Sequence, residues 1–254
     1  MIRAHKIEEI RNKLHKGDVS IGSWMQIPNS SVGEIMGKAG YDWVAVDLEH
    51  GSISICQLPD IFRSLELGGT LPLARLAEGS KKACKEALDA GAGGVIIPMV
   101  ESAFQLQEAI SYCCWPPTGK RGVGFSRANL FGNDFESYKL EANSPFIVAQ
   151  IESYKAVDDL ENICKCKGLD ALIIGPYDLS ASMDLTGDFT HPEFLSSMNS
   201  ILDISTKFNI PCGIHIVDPS QIELEKKINE GFKFIAFSID AVFLQKFSKL
   251  ILKP

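Results

Sequence analysis

Eight times along this chain a short apolar run stops at a glycine, a proline or a charged residue and gives way to a stretch with helical spacing. The runs lie at 19–25, 41–48, 71–75, 93–98, 146–151, 169–174, 211–217 and 234–238. Most lack the polar alternation of a half-exposed strand, so both faces must be buried, as in a parallel sheet. A parallel strand returns only through a crossover, and helical stretches such as 57–67, 102–113, 192–208, 219–229 and 242–251 provide one. Eight such units predict a closed (β/α)8 TIM barrel, and the 254 residues suit a fold that typically needs about 250. The alternative, an open doubly wound sheet, would want a G-x-G-x-x-G turn after its first strand, and the chain has none there. A further helix at 5–16, with Ile7, Ile10 and Leu14 at helical spacing and Gly17 behind it, is expected to cap one end. No linker interrupts 1–254, which is read as a single barrel domain.

A barrel brings the carboxyl ends of its strands to one opening, so the polar residues found there are the candidate active site. They are Trp24 and Gln26; Asp47, Glu49 and His50; Arg75; Met99 and Glu101; Gln150 and Glu152; Asp178; His215 and Asp218; Ser238 and Asp240. Glu152 and Asp178 follow adjacent strands, and two carboxylates plus waters suit magnesium or manganese. The competing reading makes each a helix cap. His50 is the candidate base, since imidazole exchanges its proton nearest neutral pH, with Asp47 or Glu49 able to fix its tautomer. Arg75 ends an apolar strand, where a guanidinium either grips a substrate carboxylate or pairs internally with Asp47 or Glu49. No lysine stands at a strand end, since Lys233 lies before the eighth strand, so imine chemistry is not indicated. Nor does a glycine-rich cup follow the last two strands, so a phosphorylated substrate is not expected.

The net charge of −7, with basic residues scattered, argues against a nucleic-acid partner. No apolar run approaches the roughly 18 residues that span a bilayer, and residues 1–16 lack a secretion signal. A cytoplasmic location with no membrane role is expected. The seven cysteines are read as reduced and structural. The rhythm breaks between Trp115 and Asn143, and a connection that long is more often functional than filler. Its 127–143 part is expected to shape the acceptor end of the substrate pocket.

Taken together, Asp47-Leu48-Glu49-His50, Arg75, the run from Pro116 to Gly124, Gln150-Ile151-Glu152 and Gly175-Pro176-Tyr177-Asp178-Leu179-Ser180 resemble the HpcH/HpaI family of metal-dependent 2-keto acid aldolases. The resemblance covers nearly the whole chain. It implies that Glu152 and Asp178 hold a divalent metal (Mg2+, Mn2+ or Co2+) with no organic cofactor. It implies too that Arg75, Gln150 and the backbone at Gly175 and Pro176 bind the pyruvate part of the substrate. His50 is implied in proton transfer, supported by Asp47 and by an aspartate from a neighbouring subunit that Asp89 matches. Relatives are commonly hexamers, or trimers of dimers, whose last helix packs on a partner. The activity implied is reversible cleavage of a 4-hydroxy-2-keto acid to pyruvate and an aldehyde. Related lyase reactions, oxaloacetate decarboxylation or hydroxyacyl-CoA cleavage, are the alternatives on the same scaffold, and a silent 2-keto acid binder is a third.

Overall fold

The computed structural model describes residues 2–249. Eight parallel strands close on themselves in sequence order. They are β1 (Ser20–Met25), β2 (Trp43–Asp47), β3 (Leu71–Arg75), β4 (Gly94–Ile97), β5 (Phe146–Ile151), β6 (Ala171–Ile174), β7 (Cys212–Ile216) and β8 (Phe234–Ile239). The helices are α1 (Ile2–His15), α2 (Ser30–Lys38), α3 (Leu58–Gly68), α4 (Lys81–Asp89), α5 (Ala103–Cys113), α6 (Phe135–Asn143), α7 (Tyr154–Asp158) and α8 (Leu160–Ile163). After them come α9 (Pro176–Ser182), α10 (Pro192–Lys207), α11 (Gln221–Asn229) and α12 (Asp240–Ser248). Among the described residues no helix is long and apolar enough to cross a membrane, and all seven cysteines are free.

Period-two alternation sorts each strand into an outer face and a lumen face. The outer face meets the helices, where Val44, Val46, Val95, Ile97, Ile147, Ile151 and Ile174 join the main core. The lumen is filled by a second cluster that includes Trp24, Trp43, Ala45, Leu71, Leu73, Phe146, Val148 and Phe234. Trp43 and Phe234 stack with centroids 4.2 Å apart, and Phe146 lies 5.7 Å from Phe234. Gly22 makes that filling possible, since a Cβ there would fall 2.1 Å from the Trp43 ring. Truncating Phe234 to alanine would open a cavity at the barrel axis and cost about 3–5 kcal/mol.

The expected capping helix is α1. Its Ile7, Ile10 and Leu14 belong to the lumen cluster, so it plugs the amino-terminal end of the barrel and leaves the carboxyl end open. At the other terminus α12 crosses from β8 toward the loop after β7, where Lys246 pairs with Asp218. Its Leu244 and Phe247 are exposed. Residues 250–254, into which the last helix was expected to run, lie outside the described residues.

One expectation is overturned. The 115–143 excursion joins α5 to the amino end of β5, so topology places it at the base of the barrel, opposite the open end. Its packing agrees: Arg3 of α1 donates to Glu141 and to the Ala128 carbonyl, and Arg127 pairs with Glu66. Within its own chain this segment does not shape the substrate pocket.

Candidate active site

The lumen alternation that fills the barrel with apolar side chains changes character in its last layer, toward the carboxyl ends. In that layer stand Trp24, Asp47, Arg75, Gln150 and His215; all but Asp47, which is bonded to Arg75, line a cavity of about 940 Å³ together with Glu152, Asp178 and His50. The strand register sets Asp47 directly beside Arg75. Arg75 uses its whole fork: Nε donates to Asp47 Oδ1 at 3.0 Å, Nη2 to Asp47 Oδ2 at 2.7 Å and Nη1 to Glu49 Oε2 at 2.7 Å. Asp47 is wholly buried and Arg75 is 6% exposed. The internal pairing of Arg75 is therefore present, and the guanidinium also faces the cavity.

Asp47 is the most heavily bonded carboxylate of the site. Besides Arg75 it accepts from Gln26 Nε2 at 2.8 Å and from the amides of Glu49 and His50 at 3.0 and 3.1 Å. Burial would push its proton affinity up, but Arg75, Gln26 and these bonds outweigh it and hold the carboxyl below its ordinary range. Two expectations are corrected by this arrangement. Neither Asp47 nor Glu49 orients the His50 ring: Asp47 reaches only the His50 backbone, and Glu49 is engaged with Arg75. Burial also raises Glu49 above the usual carboxylate range, with Arg75 opposing.

Glu152 directly follows β5, lines the cavity and is 2% exposed. Its Oε1 accepts from Gln150 Nε2 at 2.6 Å and its Oε2 from the Met99 amide at 3.0 Å. The helix that follows is capped by the Ser153 side chain instead, so the reading of Glu152 as a helix cap is overturned. Burial drives the Glu152 carboxyl up to about 7 against the Met99 bond, with the negative charges of Glu49 and Asp178 adding to the rise. Asp178 stands in the first turn of α9, at the rim. Gly175 lets the two ligand candidates share the space, because a Cβ there would sit 2.4 Å from Glu152 Oε1.

These residues fit a hard divalent cation. Two carboxylates placed after successive strands face one cavity, one of them holding its proton to about pH 7 because it is buried. Beside them the buried Oε1 of Gln150 has no hydrogen-bond partner. Among the described residues no group of three or more histidine, cysteine or acidic side chains could hold a metal. Two carboxylates in one cavity suit magnesium or manganese, which keep waters and take substrate oxygens.

Asp89 is not brought to this cavity. It ends α4 at the base of the barrel, half-buried, where burial raises its carboxyl and Arg121 and Lys85 counter the rise. Two residues at the open end carry more than the sequence reading gave them. Gln26 buttresses Asp47, and His215 stacks on Trp24 with centroids 4.8 Å apart and planes 17° from parallel. The signal for His215 was available in the sequence, as an imidazole at a lumen position of an otherwise apolar strand.

The sequence profile of the HpcH/HpaI aldolase/citrate lyase family matches residues 20–245. The chain belongs to that family. It is 31% identical over 248 residues to the hydroxypyruvate/pyruvate aldolase of Roseobacter denitrificans, covering 96% of each chain. To the 2-keto-3-deoxy-L-rhamnonate aldolase of Salmonella gallinarum it is 34% identical over 232 residues, 90% of this chain and 86% of that one. Among solved structures, an HpcH/HpaI aldolase/citrate lyase family protein from Burkholderia cenocepacia superposes with a TM-score of 0.90 at 28% identity, over 96% of this chain and 97% of that one. An HpcH/HpaI barrel with this open end is an aldolase/lyase scaffold, and the cavity at the carboxyl ends of its strands is where such chemistry is housed.

Proposed function

We propose that this chain is a divalent-metal-dependent (class II) aldolase that reversibly cleaves a 4-hydroxy-2-keto acid into pyruvate and an aldehyde. The observation that carries the reading is Glu152: a buried carboxylate that lines one cavity with Asp178, with the Arg75 guanidinium in the same wall. A divalent ion (Mg2+, Mn2+ or Co2+) held by Glu152 and Asp178 supplies Lewis-acid polarisation of the substrate's keto oxygen.

The chain's own residues do the rest. Arg75, pinned by Asp47 and Glu49, presents its remaining donor directions to the keto and carboxylate oxygens and stabilises the enolate that forms as the C3–C4 bond breaks. Gln150 and the backbone at Gly175 and Pro176 seat the pyruvate half. His50, whose ring has no hydrogen-bond partner among the described residues, is free to take the 4-hydroxyl proton and to return one to C3 of the enolate. Asp47 holds the His50 backbone, and orientation of the ring falls to Asp89 of a neighbouring subunit. Asp89 at the base of its own barrel and the exposed apolar side chains of α12 agree with a homo-oligomer, a hexamer or trimer of dimers, in which those surfaces meet a partner. The same reading makes 1–254 one catalytic domain working in the cytoplasm on a small-molecule 2-keto acid.

Pyruvate release from a panel of 4-hydroxy-2-keto acids, with added Mg2+ or Mn2+ and again after exhaustive chelation, tests this reading. Turnover that vanishes on chelation and returns with metal is expected, and turnover undiminished by metal removal would exclude the mechanism.

A further inference from the structure

His215 is a half-buried polar group in the cavity wall that the reaction above does not use. Its side chain points into the lumen from β7, and the ring lies flat on Trp24, which Arg75 overlies with its guanidinium carbon 5.5 Å from the indole centroid. His215 Nε2 is 3.3 Å from the Ser238 carbonyl oxygen. A carbonyl oxygen only accepts, so a neutral imidazole making that bond carries its hydrogen on Nε2. Nδ1 is then a lone-pair acceptor, and among the described residues it has no partner. Ser238 is held in turn: its hydroxyl donates to the Val217 carbonyl at 2.9 Å, its backbone stands at φ 59°, and its carbonyl also accepts from Ser23 Oγ at 3.3 Å. The tautomer is thus set by the fold.

The charges around the ring keep it neutral. Burial opposes the imidazolium, Arg75 adds to that, and the Ser238 carbonyl and the Asp47 carboxylate work the other way, leaving the group uncharged down to a pH of about 4. Of the charged groups facing it, Asp47 is already committed to Arg75, Gln26 and two amides.

The geometry points to His215 as a specificity-determining residue that accepts a hydrogen bond from a hydroxyl group on the substrate's carbon chain. This rests on the aldolase reading and sharpens it: the substrate class becomes one with a hydroxyl beyond that consumed by the bond cleavage. That hydroxyl can come from the donor, as in a 3-hydroxy-2-keto acid, or from the acceptor, as in a 2-hydroxyaldehyde. A purely apolar neighbour at this position would fill the same space beside Trp24 but offer no lone pair, so an imidazole locked as an acceptor selects for O–H over C–H.

The test compares isosteric pairs in the wild-type holoenzyme and in His215→Leu. The donor arm sets hydroxypyruvate against 2-oxobutanoate with one acceptor, and the acceptor arm sets glycolaldehyde against propionaldehyde with pyruvate. The ratio of kcat/KM for the hydroxylated over the deoxygenated partner is expected to fall about three- to tenfold in one arm, the weight of one neutral hydrogen bond. The arm that responds identifies the source of the hydroxyl. His215→Asn, which keeps a polar group near Nδ1, is expected to recover part of that ratio. Should the leucine variant not fold, His215→Phe keeps a ring stacked on Trp24 and gives the same comparison. Wild-type turnover with ratios unchanged in the apolar variant would overturn the role of His215 alone, whereas absence of wild-type turnover in every pair would overturn the aldolase reading beneath it.

Discussion

Replacing Arg75 by alanine removes three charge-assisted hydrogen bonds at once: two to Asp47, at 3.0 and 2.7 Å, and one to Glu49, at 2.7 Å. It leaves Asp47, wholly buried, without its cation. Breaking a buried ion pair from one side costs about 3–5 kcal/mol, mostly as the desolvation of the charge left behind. Here the stranded carboxylate keeps Gln26 and two backbone amides, so the loss should fall at the lower end, about 3 kcal/mol. Urea unfolding at fixed protein concentration measures it, since an oligomer's midpoint moves with concentration. The pairing itself is isolated by a double-mutant cycle with Asp47→Asn. If Arg75 and Asp47 act as one unit, the two losses should fall short of additive by about 2 kcal/mol. Catalytically, the same variant should lose about 100- to 1,000-fold in kcat, the usual weight of a preorganised donor at developing negative charge. A stability loss below about 1 kcal/mol, strictly additive with Asp47→Asn, would refute the ion-pair reasoning. A near-normal kcat would remove Arg75 from the chemistry.

The metal-free protein should show two opposing pH slopes. His215 stays neutral to about pH 4 against an ordinary 6.5, so between those values the unfolded chain binds a proton that the native one does not, and stability rises with pH by about 3 kcal/mol. Glu152 keeps its proton to about pH 7 against an ordinary 4.5, so the native chain binds more, and stability falls by a similar amount as pH rises through that window. Urea titrations from pH 4.5 to 7 should therefore find the wild type nearly flat, Glu152→Gln rising and His215→Phe falling; parallel curves would contradict both assignments. Metal affinity, followed by calorimetry, should weaken about tenfold per pH unit below 7 with release of one proton, and affinity independent of pH would exclude Glu152 as a ligand. Gly175→Ala places a methyl carbon 2.4 Å from Glu152 Oε1, so metal affinity should drop at least tenfold while the unfolding midpoint moves little; wild-type affinity would show that the cradle tolerates the methyl.

Most of this architecture is written in local pattern. Strands buried on both faces announce themselves as continuous apolar runs, which is why β3 and β5 matched at both ends and the others to within a residue or two. Strand ends are less sharp, since β2 closes at Asp47, where the carboxylate turns back to cap the amides of Glu49 and His50. The polar layer was legible because a polar residue in an apolar strand is costly unless used: Arg75, Gln150 and Glu152 line one opening, and Asp47 is bonded to Arg75 beneath it. Pairing was not legible. Sequence could not decide whether Arg75 meets Asp47 or substrate, and the structure has it bonded to Asp47 and lining the cavity. The 115–143 excursion was misplaced because its length was weighed and its direction was not: a segment between a helix and the next strand must return to the base of the barrel.

The most direct measurement of the central claim is a crystal structure of the protein with Mn2+ and a non-cleavable pyruvate analogue, read by anomalous scattering. The account predicts one manganese peak shared by the Glu152 and Asp178 carboxylates, with the analogue's oxygens on the ion and within hydrogen-bond reach of Arg75. A manganese peak elsewhere, or an analogue bound with Glu152 still turned to Gln150 and no ion between the two carboxylates, would contradict it.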